Sequence, residues 1–221
     1  MTAMDDNNKQ KIGISLRIVN ASNYVEQRDA LSHDWTSVLE ELGFIPVYIP
    51  NTLKNLDSFL EEMKLDGMVL SGGDNIGENK DRDETEKNLL TYALEKNIPV
   101  IGVCRGMQLI NEYFGGKLVI DNSTTHLAKK HIIEIIHRNF SSLFPSSSFT
   151  VNTYHRNMIQ TQGMGDGLTP FAIFEKDDSV EGFFHEKFPI IGVMWHPERE
   201  PDLNSKTILS TIFKNQNFLE T

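Results

Sequence analysis

Apolar positions along the chain alternate between short continuous runs and stripes at helical spacing. Lys11 to Leu16 (KIGISL) is such a run, with β-branched residues, and predicts a buried strand. After a loop ending near Asn23, apolar or aromatic residues at Tyr24, Val25, Ala30, Leu31, Trp35, Val38, Leu39 and Leu42 predict a helix over 24–42, stopped by Gly43. The alternation continues with FIPVYI (44–49) as a strand, 53–64 as a helix, GMVL (67–70) as a strand, 83–96 as a helix and PVIGV (99–103) as a strand. Strands separated by helices wind as βαβ units, so the fold class expected is α/β, a mainly parallel central sheet with helices on both faces. Beyond Gly116 short β-like pieces follow at 117–120, 131–136, 149–152, 170–175, 180–185 and 189–194, and an amphipathic helix spans 205–214. No repeat or linker breaks this pattern; a polar tail over 1–10 and one domain over 11–221 are expected.

Composition narrows the function. The 221 residues are 39% hydrophobic, enough for a sizeable core. Against 31 Asp and Glu stand 21 Lys and Arg, a net charge of -10, which repels nucleic-acid backbones and anionic membranes, so neither partner is expected. No apolar run approaches the roughly 18 residues of a membrane span. The start, MTAMDDNNKQK, is polar and acidic where a secretory signal is basic and then apolar, so a cytoplasmic setting is expected.

The single cysteine, Cys104, cannot form an internal disulfide and is therefore either an inert buried thiol or a reactive one. It stands where the apolar strand PVIGV runs directly into a helical pattern (Met107, Leu109, Ile110, Tyr113, Phe114). Unpaired N–H groups and the helix dipole favour thiolate at such a corner, and Gly102 and Gly106 flank it as in a nucleophile elbow. A thiol nucleophile needs an oriented base, and PIIGVMWHPERE (189–200) offers His196 with Glu198 two residues on. Active sites of such sheets lie past the carboxyl ends of strands, as both pieces do. The glycines of LSGGDN (70–75) suit an oxyanion hole together with the N–H of Arg105. His126, His131 and His137 lie in Ile-rich, β-like sequence without a carboxylate-rich cage, so no metal and no other cofactor is expected.

GVCRGMQLIN with its following Gly-Gly, the upstream SGGD, Arg82-Asp83-Glu84-Thr85-Glu86, VNTYHRN (151–157) and GVMWHPE occur in an order that resembles the class I glutamine amidotransferase-like family, in its γ-glutamyl hydrolase branch. The resemblance covers about residues 12–215 and implies a flavodoxin-like fold. It implies a Cys104–His196–Glu198 triad with an oxyanion hole at the backbone of Gly73 and Arg105. Gln108, Tyr154 and His155 would line a pocket for a γ-glutamyl group. A narrower likeness over LRIVNASNYVEQRDALSHDW, VCRGMQLINEYFGG and VMWHPERE points to stand-alone members associated with surface polysaccharide, among them those that hydrolyse a γ-glutamyl-CDP-amidate in capsular phosphoramidate synthesis. Arg17 and Arg28 would then contact an anionic leaving group. The expected activity is hydrolysis of a γ-glutamyl amide-type bond in a small-molecule substrate. The rivals are a glutaminase subunit passing ammonia to a separate synthetase and a binding domain of the same fold; a homo-oligomer is compatible with each.

Overall fold

The computed structural model describes residues 9–121 and 126–215. Of the expected polar tail, residues 1–8 lie outside the described residues, and Gln10 already donates from Nε2 to Phe213 O at 3.0 Å. The first half of the chain runs β1 (Lys11–Ser15), β2 (Arg17–Asn20), β3 (Gln27–Ala30), α1 (His33–Glu41), β4 (Ile45–Ile49), α2 (Leu56–Met63), β5 (Gly67–Leu70), α3 (Lys80–Lys96), β6 (Val100–Val103) and α4 (Arg105–Tyr113). Then come β7 (Val119–Ile120), β8 (Leu127–Ile135), a single turn α5 (Arg138–Ser141), β9 (Ser148–Tyr154), β10 (Asn157–Met158), β11 (Leu168–Phe174), β12 (Ser179–His185), β13 (Ile190–Val193) and α6 (Leu203–Ser210). α6 continues into a π-helical turn, Thr211–Asn215.

Nine strands form one sheet in the order β4-β1-β5-β6-β13-β12-β11-β8-β9. From β4 to β13 neighbours pair parallel, and from β13 to β9 they pair antiparallel, so β12 and β8 run against all the others. The fold is α/β, as expected, on a mixed and mostly parallel sheet. Alternate side chains of each inner strand serve opposite faces. Ile101 and Val103 of β6 join Trp35, Val38 and Leu39 of α1 and Ile208 and Leu209 of α6. Val100 joins Leu60 of α2, Leu89 and Leu90 of α3 and Met107 and Ile110 of α4. Helices therefore cover both faces of the parallel half. Among the described residues no helix is long and apolar enough to cross a membrane.

The expected helix over 24–42 is half wrong. Only His33–Glu41 is helical, and 17–30 instead fold into the antiparallel hairpin β2–β3. Tyr24 and Val25, which complete the helical stripe in sequence, are exposed, so they bury no face. The hairpin is anchored through Asp29, whose carboxylate accepts from Asn51 N at 3.1 Å and Asn51 Nδ2 at 2.6 Å. Ser32 then caps α1 by accepting from Asp34 N, and Gly43 closes the C-terminal end at φ 84°.

One crossing brings the Cys104 and His196 segments together. β13, the last strand in sequence, inserts between β6 and β12 with Gly192 beside Gly102 and Val193 beside Val103. Two segments some ninety residues apart thus end side by side on the same rim of the sheet.

Candidate active site

At the end of β6, Cys104 is the N-cap of α4 with φ 51° and ψ −104°, a backbone conformation that a residue with a side chain rarely adopts. The surroundings hold it there. Cys104 N donates to Val193 O at 2.8 Å, and Gln108 N donates to Cys104 O at 3.0 Å. α4 starts pressed against β5, for a Cβ on Gly106 would stand 2.0 Å from Leu70 O. A Cβ on Gly102 would in turn stand 2.6 Å from the Gly106 carbonyl. The two glycines flanking the cysteine are there because backbone meets backbone.

The chain leaving β13 passes directly over this corner and delivers His196. Its Nδ1 is 2.8 Å from Glu198 Oε1, and both side chains are buried. Asn152 of β9 clamps the histidine backbone from the other side, accepting from His196 N at 2.9 Å and donating to His196 O at 3.0 Å. With Nδ1 engaged by Glu198, Nε2 is left for the thiol. Burial alone would lower the His196 pKa, but the hydrogen bond to Cys104 and the Glu198 carboxylate outweigh it and push it up to about 9. Burial pushes the Cys104 thiol up, yet His196, the nearby charge of His155 and the Arg105 N–H bring it below its ordinary value. Both shifts favour the thiolate–imidazolium form of the pair.

Ser71, Gly72 and Gly73 follow β5 and close the third side. A Cβ on Gly72 would lie 2.6 Å from His196 Cε1 and 3.6 Å from Cys104 Cβ, and Gly73 sits at φ 139°. This loop is strapped from behind by α3. Arg82 donates from Nη2 to Ser71 O at 2.8 Å and Gly72 O at 3.0 Å, and from Nε to Glu86 Oε1 at 3.0 Å. Glu86 also pairs with Arg105, which reaches Asp83, whose other oxygen accepts from Gly77 N at 2.8 Å. The side chain of Arg105 thus ties the Cys104 corner to the same frame that sets the glycine loop.

The residues expected to bind substrate divide. Gln108 is buried and donates from Nε2 to Asn157 O at 3.1 Å. Tyr154 is half-exposed, edge-on to His196 at 5.7 Å, with the Arg199 guanidinium 4.1 Å from its ring centre. Arg17 lines a small cavity of about 40 Å³ together with Gly72, Gly73, His196 and Arg199. Arg28 is not brought there: on β3 it pairs with Glu26 at 2.5 Å and packs over Tyr24. His155 is buried behind the cysteine near Glu181 of β12. Burial pushes the Glu181 carboxyl up, but His131 and His155 hold it down at about 2, and Glu181 in turn raises His155 against its own burial. Glu181 carries no motif signal in the sequence, whereas Asn152 and Arg199 lie inside VNTYHRN and VMWHPERE without being singled out there. A larger hollow of about 520 Å³, between α2 and α3, contains none of these groups.

The peptidase C26 family pattern matches residues 12–198. A γ-glutamyl-CDP-amidate hydrolase of Campylobacter jejuni is 30% identical over 209 residues, covering 91% of this chain and 96% of that protein. One component of the glutamine-hydrolysing GMP synthase of Pyrococcus furiosus is 33% identical over 163 residues, 72% of this chain and 79% of that protein. A Thermoplasma acidophilum structure, provisionally described as the corresponding GMP synthase component, superposes with a TM-score of 0.70 at 28% identity, covering 93% of each chain.

Proposed function

This chain belongs to the peptidase C26 family, whose fold is that of class I glutamine amidotransferases, and from that premise we propose that it hydrolyses a γ-glutamyl amide-type bond in a small, anionic γ-glutamyl conjugate. The observation that carries the reading is the strained corner at Cys104 with the buried His196–Glu198 pair laid across it. The Cys104 thiolate attacks the γ-carbonyl carbon, and the N–H groups of Gly73 and Arg105 receive the oxyanion. His196 gives its proton to the departing nitrogen as the C–N bond breaks, leaving a glutamyl thioester on Cys104. The same imidazole then takes a proton from water, whose oxygen attacks the thioester, and glutamate leaves as the C–S bond breaks and Cys104 departs as thiolate beside the reprotonated His196.

A phosphoryl group on the scissile nitrogen suits this site. It lowers the basicity of the leaving group, so less proton transfer is asked of His196, and Arg17 and Arg199 stand at the cavity mouth to meet its charge. The favoured substrate is accordingly a γ-glutamyl nucleotide phosphoramidate such as γ-glutamyl-CDP-amidate, consumed in the cytoplasm during surface-polysaccharide synthesis. The likeness to GMP synthase components supports a second reading, a glutaminase that feeds ammonia to a separate synthetase. Mass spectrometry of the protein with γ-glutamyl-CDP-amidate, glutamine and γ-glutamyl polyamines separates them. Fastest release of glutamate from the nucleotide conjugate, with a glutamyl adduct on Cys104, is expected. Faster release from glutamine overturns the substrate assignment in favour of the ammonia-feeding glutaminase.

A further inference from the structure

Behind the nucleophile, on the antiparallel side of the sheet, His126, His155 and Glu181 converge with no water-facing surface: His126 and Glu181 are fully buried and His155 is 4% exposed. Their donor atoms all lie within 4.8 Å of one another. Glu181 Oε1 is 3.7 Å from His155 Nε2 and 3.9 Å from His126 Nδ1. None of these three atoms has a hydrogen-bond partner, nor has Glu181 Oε2.

The far side of each ring decides what the near side offers. His155 Nδ1 is 3.1 Å from Asn157 O, and a carbonyl only accepts, so Nδ1 carries the hydrogen. His126 Nε2 is likewise 2.8 Å from the carboxylate of Asp177. In the neutral rings, Nδ1 of His126 and Nε2 of His155 are then bare lone pairs aimed at a carboxylate, three acceptors facing one point. Such a cradle suits a cation. Were that cation a ring proton, imidazolium and carboxylate would close to about 2.7–2.9 Å as charge-assisted hydrogen bonds do. The observed spacing instead approaches the edge of a tetrahedron of ligands with metal bonds of 2.0–2.2 Å, about 3.3–3.6 Å.

We propose that His126, His155 and Glu181 bind a divalent metal ion of the zinc class, with water in the fourth position. Two imidazoles and a carboxylate are a ligand set that zinc favours. The outer contacts to Asp177 and Asn157 are of the kind that orient ligating histidines. His131 Nε2, 3.4 Å from Glu181 Oε2 with its ring stacked on Phe174, steadies the second carboxylate oxygen. The sequence hides this set because its carboxylates come from elsewhere: Glu181 from β12 and Asp177 from the turn before it. The ion would join the start of β8, the end of β9 and β12 across the sheet, and no step of the hydrolysis runs through it.

The test uses the full chain loaded with Zn²⁺, freed of loose ion on a chelating resin and analysed by elemental mass spectrometry and thermal melting. About one ion per chain is expected, with a melting temperature that falls when a strong chelator strips it. Because a thiolate also binds zinc, Cys104→Ser is the control, and it keeps the ion. Glu181→Gln abolishes stoichiometric binding. Asp177→Asn, at a partly exposed position that leaves all three ligands in place, weakens affinity by about 10–100-fold and carries the test if Glu181→Gln fails to fold. Absence of stoichiometric metal with no effect of chelator on melting overturns the proposal and leaves a protonated histidine pair. Loss of the ion in Cys104→Ser, or unchanged affinity in Asp177→Asn, overturns it equally.

Discussion

Two buried charged clusters flank Cys104 and are built in opposite ways. On the α3 side Arg82, Asp83, Glu86 and Arg105 close on one another, and among their described polar atoms Arg82 Nη1 and Arg105 Nε alone lack a bond. On the β12 side His126, His155 and Glu181 stand apart at 3.7–3.9 Å with their facing atoms unbonded. Both clusters bear the cost of desolvation; the first meets it with close ion pairs, the second with histidines at longer range that still hold the Glu181 carboxyl down at about 2. Burial of charge therefore does not define a role; spacing does. The closed cluster is a frame that fixes the Ser71–Gly73 loop and the start of α4, while the open one holds binding capacity in reserve.

The comparison breaks hardest at the group that lies between the clusters. Cys104→Ala should lower turnover by about 10⁴-fold or more, because triad members act as a unit, while the melting temperature stays within about 2 °C. Activity within tenfold of the original would remove Cys104 from its role.

Stability separates the clusters next. Glu86→Gln leaves two guanidiniums buried against a neutral amide and should cost about 3–5 kcal/mol in denaturant unfolding. Glu181→Gln, measured in chelator, should cost less than half as much, because a histidine can shed its proton and an arginine cannot. The reverse order would mark the β12 cluster as the better paired.

The pH profile sharpens the picture at the triad. The folded His196 value of about 9 exceeds its unfolded value of 6.5, so its contribution to stability is complete below about 6.5 and is lost as pH rises through about 9. The lowered Cys104 thiol contributes above its unfolded value of 9.0 and loses that contribution as pH falls through the folded one. Thiolate and imidazolium coexist between these limits, and activity should fall on the alkaline side near 9. Glu198→Gln removes one of the groups that raise His196. It should move that alkaline limb to lower pH and cut kcat by about 10²-fold. An unmoved limb would confine Glu198 to holding the backbone.

The smallest effect concerns the mouth. Arg17→Ala should raise KM about tenfold for a phosphoryl-bearing substrate, the worth of one charge-assisted hydrogen bond, and leave a neutral γ-glutamyl amide unchanged. Arg28→Ala, tied up with Glu26 on the hairpin, should alter neither. Equal shifts on both substrates would place Arg17 outside leaving-group recognition.

The parallel half was legible because its strands are continuous apolar runs buried on both faces, and its candidate catalytic residues, Cys104 and His196, sit where those runs stop. The 17–30 hairpin was not. As a two-stranded ribbon it buries no periodic face, and the spacing of Tyr24, Val25 and Ala30 imitated a helix. Glu181 was invisible for a different reason, and Asn152, though inside VNTYHRN, gave no sign of its partner. A polar residue in an alternating strand reads as solvent-facing, and Glu181 is buried because both faces of β12 are covered. Asn152 meets His196 across 44 positions of sequence, a distance no local pattern spans.

The glycines around the thiol have a consequence for heredity. Every missense change in a glycine codon adds at least a Cβ, since no amino acid is smaller. At Gly106 that atom meets Leu70 O at 2.0 Å and at Gly72 it meets the His196 ring at 2.6 Å, whereas at Gly43, Gly77 and Gly115 it meets nothing within 4 Å. Gly72 and Gly106 thus have no neutral neighbour in mutational space. In a library of random single variants they should stay glycine among survivors, while the three turn glycines drift first to asparagine or aspartate, the residues that best bear a positive φ.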